Sequence, residues 1–338
     1  MIRVALDAMG GDSAPRNEIA GVAEALTEIP DGFLIQLVGR SAAIEAELAR
    51  HPGVDRSRLE IHQAPDIIGM SEKPLQAIRK KRKSSMVVGL ALQRDGHSDA
   101  FISAGNTGAM LAGSTMLLGL HDGVERATVA TLFPTGSEPV LVLDGGANLD
   151  CTPRELLGFA YLGTIYMRDL MGRPNPVVGL LNVGEEEEKG TAVVREAHQL
   201  LKRAPRINYA GNIEGRDILP GPQQRIPVDV VVCDGFVGNI VLKFYESSAR
   251  VFVGLLKARI PDAFDRPEMA DLNRILDYST YGGAPLLGVK GVSIVCHGAS
   301  SPNAVKNAIR VAVQAARAGL SQHIGAEFAL RQQTATPA

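Results

Sequence analysis

No Gly-x-Gly triplet occurs anywhere in this sequence of 338 residues. Dinucleotide binding in the usual Rossmann manner needs GxGxxG after the first strand, because its second glycine lets backbone approach a pyrophosphate. That mode is excluded. A P-loop needs Gly-Lys, and a serine hydrolase elbow needs GxSxG; neither is present. Cysteine is scarce as well. Cys151, Cys233 and Cys296 are an odd set without CxxC spacing, so neither a disulfide framework nor a zinc site is implied. No histidine pair has metal-ligand spacing, and neither metal nor cofactor is expected. Net charge is −2 with no basic arm, which removes the electrostatic reason to expect nucleic acid. The chain enters a strand at Ile2 to Leu6 without the basic-then-apolar pattern of a signal peptide, and the expected location is a reducing cytoplasm.

Long apolar runs are also few. Ala100 to Leu120 carries no charge and is long enough to span a bilayer, yet Ser103, Gly105, Asn106, Thr107, Gly108, Gly113 and Ser114 make it too polar to face lipid. It reads as a buried strand, a loop and a buried helix.

What is abundant is glycine, 36 residues, in a chain 45% hydrophobic and 21% charged, an ordinary α/β profile. Strand-like runs recur at Val4 to Leu6, Leu34 to Val38, Leu59 to His62, Ala100 to Ser103, Thr128 to Phe133, Val140 to Leu143, Val177 to Leu181, Val228 to Cys233 and Val292 to Cys296. Helical patterns alternate with them at Pro15 to Thr27, Pro153 to Met171, Thr191 to Lys202 and Asn303 to Ala316. This rhythm predicts a doubly wound, mostly parallel sheet in a single α/β domain over 1–330, with no linker. Residues 241–278 depart from it as a helical hairpin, and 331–338 read as a flexible tail. The hairpin tip mixes Leu255, Leu256, Ile260 and Phe264 with Lys257, Arg259 and Arg266, which suits either an anionic membrane surface or an oligomer contact.

Several loops follow apolar strands with Gly, Asn, Ser and Thr. They are Asp7-Ala-Met-Gly-Gly-Asp12, Ser103-Ala-Gly-Asn-Thr-Gly108, Asp144-Gly-Gly-Ala-Asn-Leu-Asp150 and Cys233-Asp-Gly-Phe-Val-Gly-Asn239. Backbone N–H groups, amides and hydroxyls at helix starts bind phosphate or a developing oxyanion without covalent chemistry. Each glycine alone reads as a turn; Asn106, Asn148, Asn212 and Asn239 together are harder to assign to caps and turns. The run Glu185 to Glu188 reads as solvated carboxylates at a helix start. Lys189 after it either pairs with Glu185 or Glu186 or offers a cation to a phosphate or carbonyl. His297 is the candidate for proton chemistry, against a structural hydrogen bond. Arg79, Lys80, Lys81, Arg82 and Lys83 form either a solvated helix face or a patch for an anion or acidic partner.

These motifs, with Asn182-Val-Gly-Glu-Glu186, Gly211-Asn-Ile-Glu-Gly215 and Gly282-Gly-Ala-Pro-Leu-Leu-Gly288, stand in the same order as in the phosphate acyltransferases of bacterial phospholipid synthesis, which the chain resembles from about residue 2 to about 325. The resemblance implies a homodimer with a fold like the phosphotransacetylases and the isocitrate/isopropylmalate dehydrogenase-like group. It implies transfer of a long-chain acyl group from acyl-acyl carrier protein to inorganic phosphate, feeding glycerol-3-phosphate acyltransferase at the inner face of the cell membrane. Lys189 and Asn239 fall at that family's key positions. On this reading phosphate is itself the nucleophile; Lys189 and Asn239 donate to phosphate and oxyanion, while Ser103, Asn106 and Thr107, with Asp7, Asn148, Asn212 and His297, line the phosphate site. The Arg79 to Lys83 cluster meets the carrier protein or phosphate. Rival readings are a nicotinamide-dependent dehydrogenase of the isocitrate-like group, which would need a carboxylate cluster, and a non-catalytic membrane scaffold.

Overall fold

The structure is a computed structural model that describes residues 1–135, 138–219, 227–262, 266, 269 and 282–335, without the side chains of 333–335. In chain order the strands are β1 (Ile2–Asp7), β2 (Phe33–Gly39), β3 (Leu59–Gln63), β4 (Ala100–Ser103), β5 (Thr128–Val129), β6 (Thr131–Phe133), β7 (Val140–Leu143), β8 (Val177–Leu181), β9 (Asn208–Ile213), β10 (Val230–Val232), β11 (Ala284–Leu287) and β12 (Val292–Val295). The helices are α1 (Arg16–Glu28), α2 (Ser41–Leu48), α3 (Pro74–Lys80), α4 (Ser85–Arg94), α5 (Thr107–Leu117), α6 (Pro153–Met171), α7 (Ala192–Lys202), α8 (Gly235–Arg259), α9 (Pro302–Arg317) and α10 (Leu320–Ala335). They form two compact units, Met1–Ala127 with Tyr281–Ala338, and Thr128–Thr280. The strand-helix rhythm does not disclose this division, because both units keep the same βα alternation.

In the first unit the strand order is β3-β2-β1-β4-β12-β11, parallel except for β11, which runs antiparallel to β12. The second unit's sheet is β6-β7-β10-β8-β9, with β6 antiparallel. A central parallel strand is covered on both faces and therefore reads as a continuous apolar run. Val4, Ala5 and Leu6 in β1, and all of β10, are buried accordingly.

The helices start and stop where local chemistry dictates. Thr152 caps α6: its hydroxyl accepts from the Glu155 N–H while Glu155 accepts from the Thr152 N–H, and Gly172 at φ +67° ends the helix. Gly21 lets α1 lie directly on α9, since a Cβ there would stand 2.6 Å from the Pro302 carbonyl oxygen.

Three features of the sequence reading change. Thr128 to Phe133 is two short strands interrupted at Ala130. Strand β9 carries no apolar run that would reveal it, and the short apolar run of β11, Ala-Pro-Leu-Leu, is masked by Pro285. Helix α10 continues to Ala335, past the residue at which a tail is read from the sequence. The first helix of the hairpin is the C-terminal part of α8, and its second helix lies outside the described residues, as does Phe264.

Parallel strands bring their carboxyl ends to one edge, which is where the loops rich in Gly and Asn leave each sheet. Gly21→Val should overpack the α1–α9 contact and lower stability by about 1–3 kcal/mol in urea unfolding. Gly254→Ala, where a Cβ meets nothing within 4 Å among the described residues, is the control and should raise stability by up to about 1 kcal/mol through helix propensity. Equal midpoints for the two variants would mean that α1 and α9 do not meet at Gly21.

Candidate active site

In the first unit the loop after β1 is tied to the loop after β4. Asp7, at the end of β1, accepts from the Met9 N–H at 3.0 Å and from the Ser103 hydroxyl at 2.8 Å, and Ser103 accepts in turn from the Gly105 N–H at 3.0 Å. Burial raises the Asp7 pKa, and hydrogen bonds from Ser85, Ser103 and Met9 oppose the rise. A Cβ on Gly10 would stand 2.7 Å from the Gly105 nitrogen, so the two loops pass at backbone contact. Asp7 and Ser103 thus spend their polar atoms on joining loops.

Asn106 is spent in the same way. Its side-chain oxygen accepts from the Ala109 N–H at 2.9 Å, capping α5, and its amide donates to the carbonyls of Met70 at 2.8 Å and Glu72 at 3.2 Å. Thr107 differs, being exposed at the first position of α5 with a hydroxyl that makes no hydrogen bond among the described residues. His297 is exposed, and its Nδ1 accepts from the Ala299 N–H at 3.2 Å, which leaves the proton of the neutral ring on Nε2.

In the second unit, Asp144 directly after β7 is fully buried. One carboxylate oxygen accepts from the Thr128 hydroxyl at 3.1 Å and the Val129 N–H at 3.0 Å; the other accepts from Asn148, at 2.6 Å from its N–H and 2.9 Å from its amide. The Asn148 carbonyl then accepts from the Gly235 N–H at 2.7 Å. Asp234 caps α8, accepting from the Val237 N–H at 2.8 Å, and a Cβ on Gly238 would stand 1.9 Å from the Asp144 carbonyl oxygen. Helix α8 is therefore seated on the Asp144 loop by its first turn. Asn239 follows, exposed, with its Cβ beside Gly146 and its amide without a hydrogen bond among the described residues.

Lys189 lies in the irregular segment between β8 and α7. The four glutamates do not occupy a helix start, as the sequence reading has it, because α7 begins at Ala192 under a Thr191 cap. Nor does Lys189 pair with Glu185 or Glu186. Glu185 reaches Arg216 at 3.7 Å and Glu187 reaches Lys202 at 2.7 Å, while the exposed Lys189 ammonium has no ion pair among the described residues. Backbone contacts fix its loop: Asn182 donates to the Lys189 carbonyl at 3.1 Å and Asn212 to the Glu186 carbonyl at 3.1 Å.

Of the basic cluster, Arg79, Lys80, Arg82 and Lys83 are exposed at the end of α3, whereas Lys81 is held by Glu72 at 2.5 Å and by the Ile67 carbonyl at 2.7 Å. Leu255 and Ile260 are exposed, and Leu256 is half-buried. Among the described residues no helix is long and apolar enough to cross a membrane.

Glu18 was missed by the motif search. Its signal is a carboxylate at an apolar-face position of α1, in register with Val22 and Ala25. It is 2% exposed, packed under Gly11, and one of its oxygens has no hydrogen bond among the described residues. Burial, with smaller contributions from Asp7 and Asp12, pushes its pKa from 4.5 to about 7. Between those values the unfolded chain ionises while the folded chain keeps the proton, so stability falls as pH rises from 4.5 to 7 and then levels. The loss attributable to Glu18 is about 3 kcal/mol, which Glu18→Gln removes. Urea unfolding of both proteins at pH 4.5 and pH 8 measures it, and identical pH dependences would refute the buried carboxyl.

A sequence profile of fatty acid synthesis proteins matches residues 2–323. The phosphate acyltransferase of Heliobacterium modesticaldum is 46% identical over 339 residues, spanning 96% of this chain and 98% of that protein. The phosphate acyltransferase of Desulforamulus reducens is 44% identical over 328 residues, spanning 95% of each. A solved phosphotransacetylase from Streptococcus pyogenes shares the fold, with a TM-score of 0.62 at 17% identity over 94% of each chain. Likeness at this level over nearly whole chains makes the protein an enzyme of phosphate acyl transfer. The chain belongs to the fatty acid synthesis protein family, as one of its phosphate acyltransferases.

Proposed function

We propose that the enzyme transfers a long-chain acyl group from acyl-acyl carrier protein to inorganic phosphate, by direct attack of bound phosphate on the thioester. The observation that carries this reading is the division of the loop polar groups. Asp144, Asn148 and Asn182 are engaged with protein, and Asn212 is engaged by its N–H group though not by its buried oxygen, while Lys189 and Asn239, after the neighbouring parallel strands β8 and β10, keep an exposed cation and an exposed amide unengaged among the described residues.

Chemistry through a protein nucleophile has little support here. The thiol nearest the Asp144 loop, Cys151, is pushed up to about 12 by burial and by Asp144, and Cys233 is also driven well above its ordinary value by burial. Both stay protonated at neutral pH and attack poorly. A phosphate oxygen attacks the thioester carbonyl carbon instead; the oxyanion collapses, the C–S bond breaks, and the carrier thiolate leaves and takes a proton from water. Lys189 lowers the repulsion on the phosphate, and Asn239 donates to the oxyanion. Orientation can supply roughly 7–11 kcal/mol and one oxyanion donor about 3–4 kcal/mol. In the first unit the Thr107 hydroxyl and the start of α5 offer further donors to an anion, with Asp7, Ser103 and Asn106 holding that loop in shape.

The product acyl phosphate would be consumed by glycerol-3-phosphate acyltransferase in glycerophospholipid synthesis. The exposed Arg79, Lys80, Arg82 and Lys83 suit the acidic carrier protein. The mixture of exposed Leu255 and Ile260 with Lys257 and Arg259 supports peripheral contact with the inner face of the cell membrane, by a homodimer in the cytoplasm.

The direct assay mixes acyl-acyl carrier protein with phosphate and scores acyl phosphate and free carrier thiol; no product at any chain length would end this reading. Lys189→Ala and Asn239→Ala should each lower turnover at least tenfold, about 1.4 kcal/mol or more of transition-state stabilisation. Parental turnover in both variants would displace the site. Leu255→Asp should reduce sedimentation with anionic liposomes without changing turnover in solution, and unchanged sedimentation would place the membrane contact elsewhere.

A further inference from the structure

Helix α7 turns one polar ring inward among apolar neighbours. Ala197, His198 and Leu201 are its buried residues, and His198 is only 4% exposed. An imidazole on an apolar face is costly unless both nitrogens are satisfied. Its Nδ1 lies 2.7 Å from the hydroxyl of Tyr209 on β9. Its Nε2 is buried without a hydrogen bond among the described residues and faces the Glu187 carboxylate at 3.7 Å.

The direction of these contacts follows from proton positions. Burial raises the Tyr209 pKa, so the phenol keeps its proton and can donate to Nδ1. The ring proton then sits on Nε2, aimed at Glu187; the opposite tautomer would set a lone pair against a carboxylate. Glu187 also takes Lys202 at 2.7 Å and Gln199 at 3.3 Å, and Lys202 in particular holds its carboxyl below the ordinary range. All three partners belong to α7.

Glu187 stands two residues before Lys189 in a tight turn closed by the Lys189 N–H on the Glu186 carbonyl at 3.2 Å. Asn212 and Asn182 tie that turn to β9 and to the end of β8. Glu187 supplies one side-chain tie from this turn to α7, and the Arg195 guanidinium supplies another, donating to the Gly190 carbonyl at 2.6 Å. We propose that His198 is a positioning residue of the phosphate acyltransferase: relayed from Tyr209 and acting through Glu187, it holds the turn that presents Lys189 to substrate. This inference rests on the role given to Lys189 above.

The test separates the two ring nitrogens. In His198→Gln the amide reaches the place of Nε2, whereas in His198→Asn it reaches only the place of Nδ1. Turnover is assayed with acyl-acyl carrier protein and phosphate, with melting curves recorded alongside. His198→Asn should lower kcat about tenfold with KM for the acyl carrier within about twofold, and His198→Gln should recover most of kcat, because a displaced turn misplaces the cation without removing it. Parental kcat in both variants overturns the proposal, and so does an equal loss in both, which is what a purely structural histidine gives. Should His198→Asn fail to fold, the half-exposed Glu187→Gln takes its place: a fall in kcat supports the tie and parental kcat overturns it. Lys189→Ala in the same assay distinguishes the levels. An inactive Lys189→Ala beside a fully active His198→Asn removes only the role of His198, whereas a fully active Lys189→Ala removes both.

Discussion

The second unit depends on one buried carboxylate. Asp144 sits at 0% exposure against β7, and burial raises its pKa. Donors from Thr128, Val129, Ala147 and Asn148 oppose this. Removing two charge-assisted hydrogen bonds would cost about 3–6 kcal/mol, a large share of the stability of an ordinary domain. The loop is consequently close to all-or-none. With the Asn148 carbonyl receiving Gly235, and the Asp144 carbonyl filling the space that a side chain on Gly238 would need, the start of α8 has little freedom either. Asn239 inherits its position from this arrangement.

Asp7 performs the same office in the first unit with fewer donors, joining the loops after β1 and β4. In both units a carboxylate follows an apolar strand into the interior and gathers hydroxyls and N–H groups from the adjoining segments. Such a group is a poor ligand for phosphate, because its oxygens are already occupied by donors from its own protein. It is a good means of fixing backbone, because its own desolvation penalises every loop conformation that withdraws a donor. Asn106 and Asn148 extend the pattern with amides.

Much of the fold was legible. Strands β7 and β10 are apolar throughout, and β1 is so from Val4 to Leu6, because both of their faces are covered there, and helices such as α6 announce themselves by cap and periodicity together. The strands that escaped notice lack those signals: β9 carries Asn208, Gly211 and Asn212, and β11 includes Pro285 at the antiparallel side of its sheet. The loops of the candidate site were legible as loops, yet the division between engaged and unengaged residues was not. Asn106 and Asn239 are the same residue type in similar strand-loop-helix surroundings. One is consumed by Met70, Glu72 and Ala109, segments that only folding brings within 3.2 Å, and the other is not. Glu18 and His198 were hidden for the complementary reason, since a single polar residue on an amphipathic helix shows its burial only when the face it occupies is known.

The glutamate run shows how such placement alters electrostatics. Read as a helix start, Glu185 to Glu188 would be stabilised by the α7 dipole and would surround Lys189 with four negative charges, an unfavourable field for phosphate. Thr191 caps α7 instead and leaves the run in the preceding loop, where Glu185 turns to Arg216 and Glu187 to Lys202. Exposed pairs of this kind contribute little to stability, about 0–1 kcal/mol each. Their effect on a neighbouring anion is separate from that figure, because each pairing offsets a carboxylate on the same short segment as Lys189. Lys202 thereby compensates Glu187, whereas Glu185 shares Arg216 with Glu214, and the ammonium, paired with neither Glu185 nor Glu187, is the cation to which the proposed phosphate contact is given.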